Sequence, residues 1–200
     1  MNCVACGKRF SSTEAATRSV ARQAAQATRE VHCHKCGKPH SISRFTRSTK
    51  CPTCQTDIVI GDLSLTTHAG QPIDLRGCLW IGLKASLAGQ KAICTDAIVE
   101  GALEGDIVCE NSLKLRNSAK LTHHICAKRV HVARDIRVEL PRDNKIENLE
   151  IEGTVIGDVN IIGQVTILRT GQLLGNINAR SVQVERGGVW TGTGKIGARD

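Results

Sequence analysis

From residue 79 onward the chain repeats a short apolar–x–apolar unit. The units are Leu79-Trp80-Ile81, Ala97-Ile98-Val99, Leu113-Lys114-Leu115, Val130-His131-Val132, Leu149-Glu150-Ile151, Val165-Thr166-Ile167 and Val182-Gln183-Val184. Successive units begin 18, 16, 17, 19, 16 and 17 residues apart. A second element recurs between them, an apolar residue followed by Gly with Asp or Asn and then another apolar residue. Examples are Leu103-Glu104-Gly105-Asp106-Ile107, Val155-Ile156-Gly157-Asp158-Val159 and Leu174-Gly175-Asn176-Ile177. Alternation with period two is the signature of a strand with one face buried, and the glycines oppose helix. Three short strands with Gly- and Asn-containing corners make one coil of this length, and seven such coils fit the spacing. Stacked coils pair each strand with its equivalent above and below, which predicts a mainly β fold, a parallel β-solenoid. Lys114, His131, Glu150, Thr166 and Gln183 then form its polar outer face. Residues 140–148, with Pro141 and a polar run, read as a loop bulging from one coil.

Composition agrees with a narrow core. Of 200 residues, 40% are hydrophobic, yet only two are Trp, two Phe and none Tyr. Such a chain builds its interior from Ile, Val, Leu and Ala and lacks the side chains for an aromatic-lined ligand pocket.

Charge divides the chain in two. Residues 1–60 hold ten Lys/Arg against three Asp/Glu, which leaves the other 140 residues only +1 of the total of +8. The basic end also carries three Cys-x-x-Cys pairs: Cys3/Cys6, Cys33/Cys36 and Cys51/Cys54. Fourteen residues separate the last two pairs, close to the spacing of four-cysteine zinc sites. A two-residue gap lets one tight turn aim both sulfurs at a single ion, so Cys33, Cys36, Cys51 and Cys54 are read as a structural Zn²⁺ ribbon. Gly37 follows one pair, where the turn tolerates little side chain, and Pro52 stiffens the other. With all four positions taken by protein, no site remains for water or substrate, which argues against catalytic zinc.

Cys3 and Cys6 offer half of a second site. His32, His34 or His40, or a matching pair from a second chain, would complete it; an orphaned half-site is equally consistent with the sequence. Residues 12–30 read as a short basic helix, with Ser11 and Glu14 as a capping box and Arg18, Arg22 and Arg29 roughly on one face. That face suits phosphates or an acidic partner, but a solvated linker helix is the favoured reading, since charge runs usually mark a solvated face. No aromatic residue interleaves as a base-stacking platform would need. The organisation expected is a knuckle plus basic helix over 1–30, the zinc ribbon over 31–60 and the solenoid over 61–200. No apolar run approaches a membrane span of about 18 residues. Met1-Asn2-Cys3-Val4-Ala5-Cys6 lacks a signal-peptide pattern. The expectation is a cytoplasmic protein, where thiols stay reduced.

A solenoid acyltransferase would need a strict hexad register, which the wandering spacing breaks. His123, His124 and His131 have no acid at a telling sequence position. Cys78, Cys94, Cys109 and Cys126 fall one per coil. Alternation places Cys109 inward and Cys94 and Cys126 outward, as packing or surface residues. No catalytic or organic-cofactor site is expected, and the chain reads as non-enzymatic.

The recurring Glu-Gly-x-x-x-Gly-Asp-Ile type of coil resembles the bactofilins, bacterial polymer-forming cytoskeletal proteins. It stands in Val99-Glu100-Gly101-Ala102-Leu103-Glu104-Gly105-Asp106-Ile107 and Ile151-Glu152-Gly153-Thr154-Val155-Ile156-Gly157-Asp158-Val159. The closing stretch Ala179-Arg180-Ser181-Val182-Gln183-Val184-Glu185-Arg186-Gly187-Gly188-Val189 has the same character, and the resemblance spans roughly 79–197. It implies a right-handed β-helix that stacks end to end into filaments without nucleotide. It also implies a scaffold for cell shape or envelope growth, at the inner face of the cell envelope. The zinc ribbon and the inserted loop depart from the family pattern. Open strand edges at the ends of a solenoid invite pairing with another chain. Trp190, in the last coil and aligned with Leu121 and Val155, reads either as a core plug or as half of an end-to-end contact; the contact is favoured, which makes it the candidate self-assembly residue. The expected partners are further copies of the chain and a protein recruited by the ribbon. The alternative is a zinc-ribbon module for nucleic acid or regulation, acting through residues 1–60 and oligomerised by the solenoid; its binding would weaken steeply with salt. Whether a membrane is also a partner is open at this stage.

Overall fold

The computed structural model describes residues 28–33, 35–43, 46–121, 123–141 and 144–197. The chain forms two compact units, Met1–Ile58 and Val59–Asp200. Among the described residues no helix is found, and every long regular element is a strand.

In the second unit the repeat becomes three parallel ladders. The first starts at Leu63–Leu65, which pairs with Cys78–Ile81, and that strand pairs with the latter half of Ala92–Val99. It continues through Ile107–Leu115, Ile125–Val132, Lys145–Ile151 and Gln164–Ile167 to Ser181–Val184. A second ladder stacks Ala119–Lys120, Arg137–Glu139, Thr154–Ile156, Gln172–Leu174 and Val189–Thr191. The third uses the early halves of the long strands. It is carried on by Val159–Asn160, Ile177–Ala179 and Gly194–Ile196, with Ile146 bridging to Ile161. The result is a β-solenoid of about eight turns with coils of about 17 residues. It begins one coil before the repeat read from the sequence, at Leu63-Ser64-Leu65, a unit with the same apolar–x–apolar form.

Register alone builds the core. Leu79, Ala97, Leu113, Val130, Leu149 and Val165 form one inward column, each on its equivalent in the next coil, and all are buried. Val138, Val155 and Leu173 form another. Each aliphatic side chain is covered chiefly by the coils before and after it, at roughly 1.5–3 kcal/mol of burial apiece. The outward column runs Trp80, Ile98, Lys114, His131, Glu150, Thr166, Gln183, so the five expected polar residues share one face.

The Gly-Asp/Asn element has a physical reason. At one corner the Asp158 carboxylate accepts the Asn176 backbone N–H at 3.1 Å, and the Asn176 side chain accepts the Thr193 N–H at 3.0 Å. Asp106 accepts the His124 N–H at 3.1 Å in the same way. At another corner Asp62 accepts the Cys78 N–H (2.8 Å) and Asp96 that of Ser112 (3.1 Å). Where the ladder turns, a side chain one coil earlier takes up the amide that would otherwise lack a partner. The glycines let the coils approach. A Cβ on Gly153 would meet the carbonyls of Ala133 and Ile136.

Several expectations need correction. Residues 28–30, assigned to the end of a helix, lie in the strand Thr28–His32, antiparallel to Pro39–Ser43; β-branched Thr28 and Val31 and the pairing outweigh helix propensity. The rest of that helix, with Ser11, Glu14, Arg18 and Arg22, lies outside the described residues. The loop drawn over 140–148 extends at most to 144. Lys145–Ile151 is a strand, because Lys145-Ile146-Glu147 keeps the alternation and Ile146 is buried. Cys94 points inward, not outward: the two residues Thr95 and Asp96 form a corner between inward Cys94 and inward Ala97, so alternation carried back from Ala97 fails there. The extra residue of the register shift lies on the facing strand, between Cys109 and Ser112. Cys109 is buried and Cys126 half-exposed, as read. Trp190 stacks on Leu173 and Val155 as expected, but the first position of that column is Ala119, not Leu121.

Gly153→Ala should therefore destabilise the solenoid by about 2–3 kcal/mol, seen as a lower midpoint in thermal or denaturant melts. Gly70→Ala, which meets nothing within 4 Å, should be close to neutral in the same assay.

Candidate metal centre and assembly face

Among the described residues of the first unit, the two Cys-x-x-Cys pairs, Cys33/Cys36 and Cys51/Cys54, each sit at the end of a pair of strands. Thr28–His32 and Pro39–Ser43 carry the first; Ser48–Lys50 and the strand starting at Asp57 flank the second. The two turns share one hydrogen-bond pattern. The Gly37 N–H donates to the Cys33 carbonyl at 2.8 Å and the Cys33 N–H to that of Lys38 at 3.0 Å. The Gln55 N–H donates to Cys51 at 2.9 Å and the Cys51 N–H to Thr56 at 2.9 Å. Both turns place the residue after the second cysteine in the left-handed region, Gly37 at φ +70° and Gln55 at φ +58°. No atom crowds Gly37; its demand is on backbone conformation, and Gln55 meets the same demand with a side chain.

The turns converge four sulfurs. Cys33 and Cys54 Sγ are 3.5 Å apart, Cys36 and Cys51 Sγ 3.6 Å, and all four lie within 4.8 Å of one another. Tetrahedral Zn²⁺ with Zn–S bonds of about 2.3 Å sets sulfurs ~3.8 Å apart, so the donor set fits a four-thiolate metal. Cys33 and Cys51 are buried, while Cys36 is exposed.

The thiols are unequal. The Thr56 hydroxyl and amide hold Cys54 down at about 6, with Cys54 Sγ 3.2 Å from Thr56 Oγ1. The Cys54 and Thr53 amides lower Cys51. Against the Lys38 amide, which lowers it, partial desolvation and the three neighbouring sulfurs push Cys36 up to about 11. Four adjacent thiolates repel one another without a cation, so loading of a divalent ion displaces protons and its affinity rises with pH. The sequence offered no sign of Thr56 beyond its place two residues after a cysteine. Cys3, Cys6 and His34, proposed for a second site, lie outside the described residues. Of the candidate completing ligands, His32 is exposed with Nε2 3.6 Å from Glu30, and His40 is half-buried on Pro39–Ser43.

At the last coil of the second unit the inward columns lose their cover. Val184 follows Ile167 in register and Ile196 follows Ala179, yet Val184 is 45% exposed and Ile196 55%, against 0% and 2% for the residues beneath them. Val182 and Trp190 are half-buried in columns that are otherwise closed. The Trp190 indole N–H donates to the Gly175 carbonyl at 3.1 Å, which lays the ring across the end of its column. The sequence singled out Trp190 but not Val184 or Ile196, which only a count of coils could have marked.

Two of the solenoid histidines have an acid nearby in space that sequence position did not mark. His123 Nδ1 is 4.0 Å from Asp106 and His131 Nε2 3.9 Å from Glu152. These are surface pairs set by coil stacking.

A four-thiol cluster in one unit and a parallel β-solenoid in the other describe the class of protein. The family described as "Bactofilin: Polymer-forming cytoskeletal" matches residues 142–195, so the chain carries a bactofilin domain, a part of the stretch over which the motifs resemble that family. The description of the matched family, polymer-forming and cytoskeletal, agrees with the non-enzymatic reading made from the sequence. No curated protein and no solved structure matches the chain.

Cys51→Ser should abolish binding of one metal ion per chain, measured by elemental analysis, while leaving the solenoid's melting unchanged. Thr56→Val raises the Cys54 thiol, so protons compete at higher pH. Acid-induced metal release, followed with a chromogenic chelator, should move to higher pH. Release at an unchanged pH would remove Thr56 from the centre.

Proposed function

We propose that the chain is a nucleotide-independent scaffold that polymerises by stacking solenoid ends, with Zn²⁺ held by Cys33, Cys36, Cys51 and Cys54. In this reading the solenoid winds right-handed, as parallel crossovers do in nearly all cases, and the zinc-bearing unit recruits a protein partner. The filament is cytoplasmic, assembled at the inner face of the cell envelope.

The observation that carries the reading is the uncovered last coil. Among the described residues nothing lies over Val182, Val184, Trp190 and Ile196, and the ladder edges beside them are open. A further copy continues both the hydrogen bonding and the aliphatic columns. Covering those four side chains contributes on the order of 1 kcal/mol each, and the added ladder bonds supply direction. A polymer-forming family match supports self-association as the purpose of this end.

A nucleic-acid reading of the first unit draws on exposed Lys35, Lys38, Arg47 and Lys50. It carries less weight, because the cluster closes its shell with protein ligands and, among the described residues, no aromatic platform accompanies the charges.

Trp190→Arg and Ile196→Arg should leave circular dichroism unchanged and abolish pelleting at high speed in the absence of nucleotide. Pelleting like that of the unmodified chain by both folded variants would remove the last coil from the assembly interface.

A further inference from the structure

Cys94 and Cys109 are in-register partners on neighbouring strands of the third ladder. Their Sγ atoms are 3.6 Å apart and both side chains are buried. The other two cysteines of the solenoid have no such neighbour on their ladders. Cys78 stacks on Asp96, and Cys126 lies between Val108 and Lys145.

Burial alone would make this an inert pair. Its position argues otherwise. The parallel register between the two strands is broken immediately after the pair, between Cys94 and Asp96. At that corner the N–H groups of Thr95 and Asp96 share one acceptor, the Gly77 carbonyl, at 3.1 and 3.3 Å. What ties this corner to the next coil is the Asp96 carboxylate, which accepts the Ser112 N–H at 3.1 Å and Asn111 Nδ2 at 3.0 Å on the outer side. The ladder itself is interrupted there, and an interrupted ladder opens at lower cost than the regular rungs on either side. Opening there brings both sulfurs to solvent together. Neighbouring rungs of a sheet lie about 4.8 Å apart, within the Cα separation a disulfide accepts, roughly 4.4–6.8 Å.

We propose that Cys94 and Cys109 are an oxidisable dithiol that a peroxide converts into a disulfide stapling two successive coils of the solenoid. The Cys94 or Cys109 thiolate attacks one oxygen of hydrogen peroxide, breaking the O–O bond; the departing hydroxide leaves as water with the thiol's proton. The sulfenic acid so formed is attacked by the second sulfur, which expels its oxygen as a second water. Two S–H bonds and one O–O bond are lost, one S–S bond forms, and two waters leave. The bond closes a loop 15 residues long in sequence, which restrains the unfolded chain and resists separation of the two coils.

The test uses the full chain purified with zinc and treated with hydrogen peroxide, then unfolded, alkylated and digested. Lys91 and Lys114 bound a tryptic peptide containing both cysteines, and Glu100 and Glu104 lie between them. The expected result is a peptide lighter by two hydrogens and unalkylated, whose halves stay joined after cleavage at glutamate until a reductant is added. The melting temperature of the oxidised solenoid should rise by roughly 5 °C and return on reduction. Cys94→Ala and Cys109→Ala should each lose both effects; alanine already fills the next position of this column, at Ala127. Recovery of both cysteines as alkylated thiols while Cys126 is oxidised would overturn the proposal. So would separate sulfinic acids at the two positions, pairing with other cysteines, or a disulfide that leaves the melting temperature unmoved.

Discussion

Each coil of this molecule is too thin to bury its own side chains, and that constraint organises the rest. An inward Val, Leu or Ile touches few residues within its own turn. It is closed off by the equivalent residue one coil before and one coil after, as in the column from Leu79 to Val165. Stability is then a property of neighbouring pairs of coils, and register becomes the quantity the sequence must protect. The strand spacing wanders in the sequence, but bulges and corners absorb the difference so that apolar positions still coincide.

The corners protect register by a second means. Side chains such as Asp62, Asp96, Asp106, Asp158 and Asn176 accept an N–H from the following coil. A slip by one residue would separate these acceptors from their donors while also turning the apolar column outward. Glycines at the close approaches remove the Cβ that would hold coils apart, as at Gly153. The same logic fails at the final coil. There the columns end in Val184 and Ile196, and among the described residues no further coil lies over them. In the proposed scaffold the polymer-forming family match and the uncovered coil have one physical basis, since the surface that would continue the fold would also continue the filament.

Most of the solenoid was legible because period-two alternation and a repeat near 17 residues are strong signals. The four-cysteine cluster was equally so, since two short turns at that spacing have few other uses. The failures have local causes. Cys94 was turned to the wrong face because a two-residue corner, Thr95-Asp96, breaks the alternation before Ala97 without leaving a compositional mark. Lys145–Ile151 was taken partly for loop because a single apolar residue, Ile146, had to be weighed against a polar run. Residues 28–30 pair with a strand more than ten residues away, a non-local contact that helix propensity cannot register. The corner acceptors and Thr56 were not legible, because their role depends on which residue lies one coil or one turn away in space.

The measurement that bears most directly on end-to-end stacking is the axial rise per subunit in assembled filaments, by electron cryomicroscopy. About eight coils, each adding about 4.8 Å of ladder, predict a subunit rise of roughly 38 Å along an axis parallel to the solenoid, with strand density continuous across subunit boundaries. Filaments in which solenoids lie crosswise to the axis or associate side by side, with the last coil facing solvent, would contradict the account.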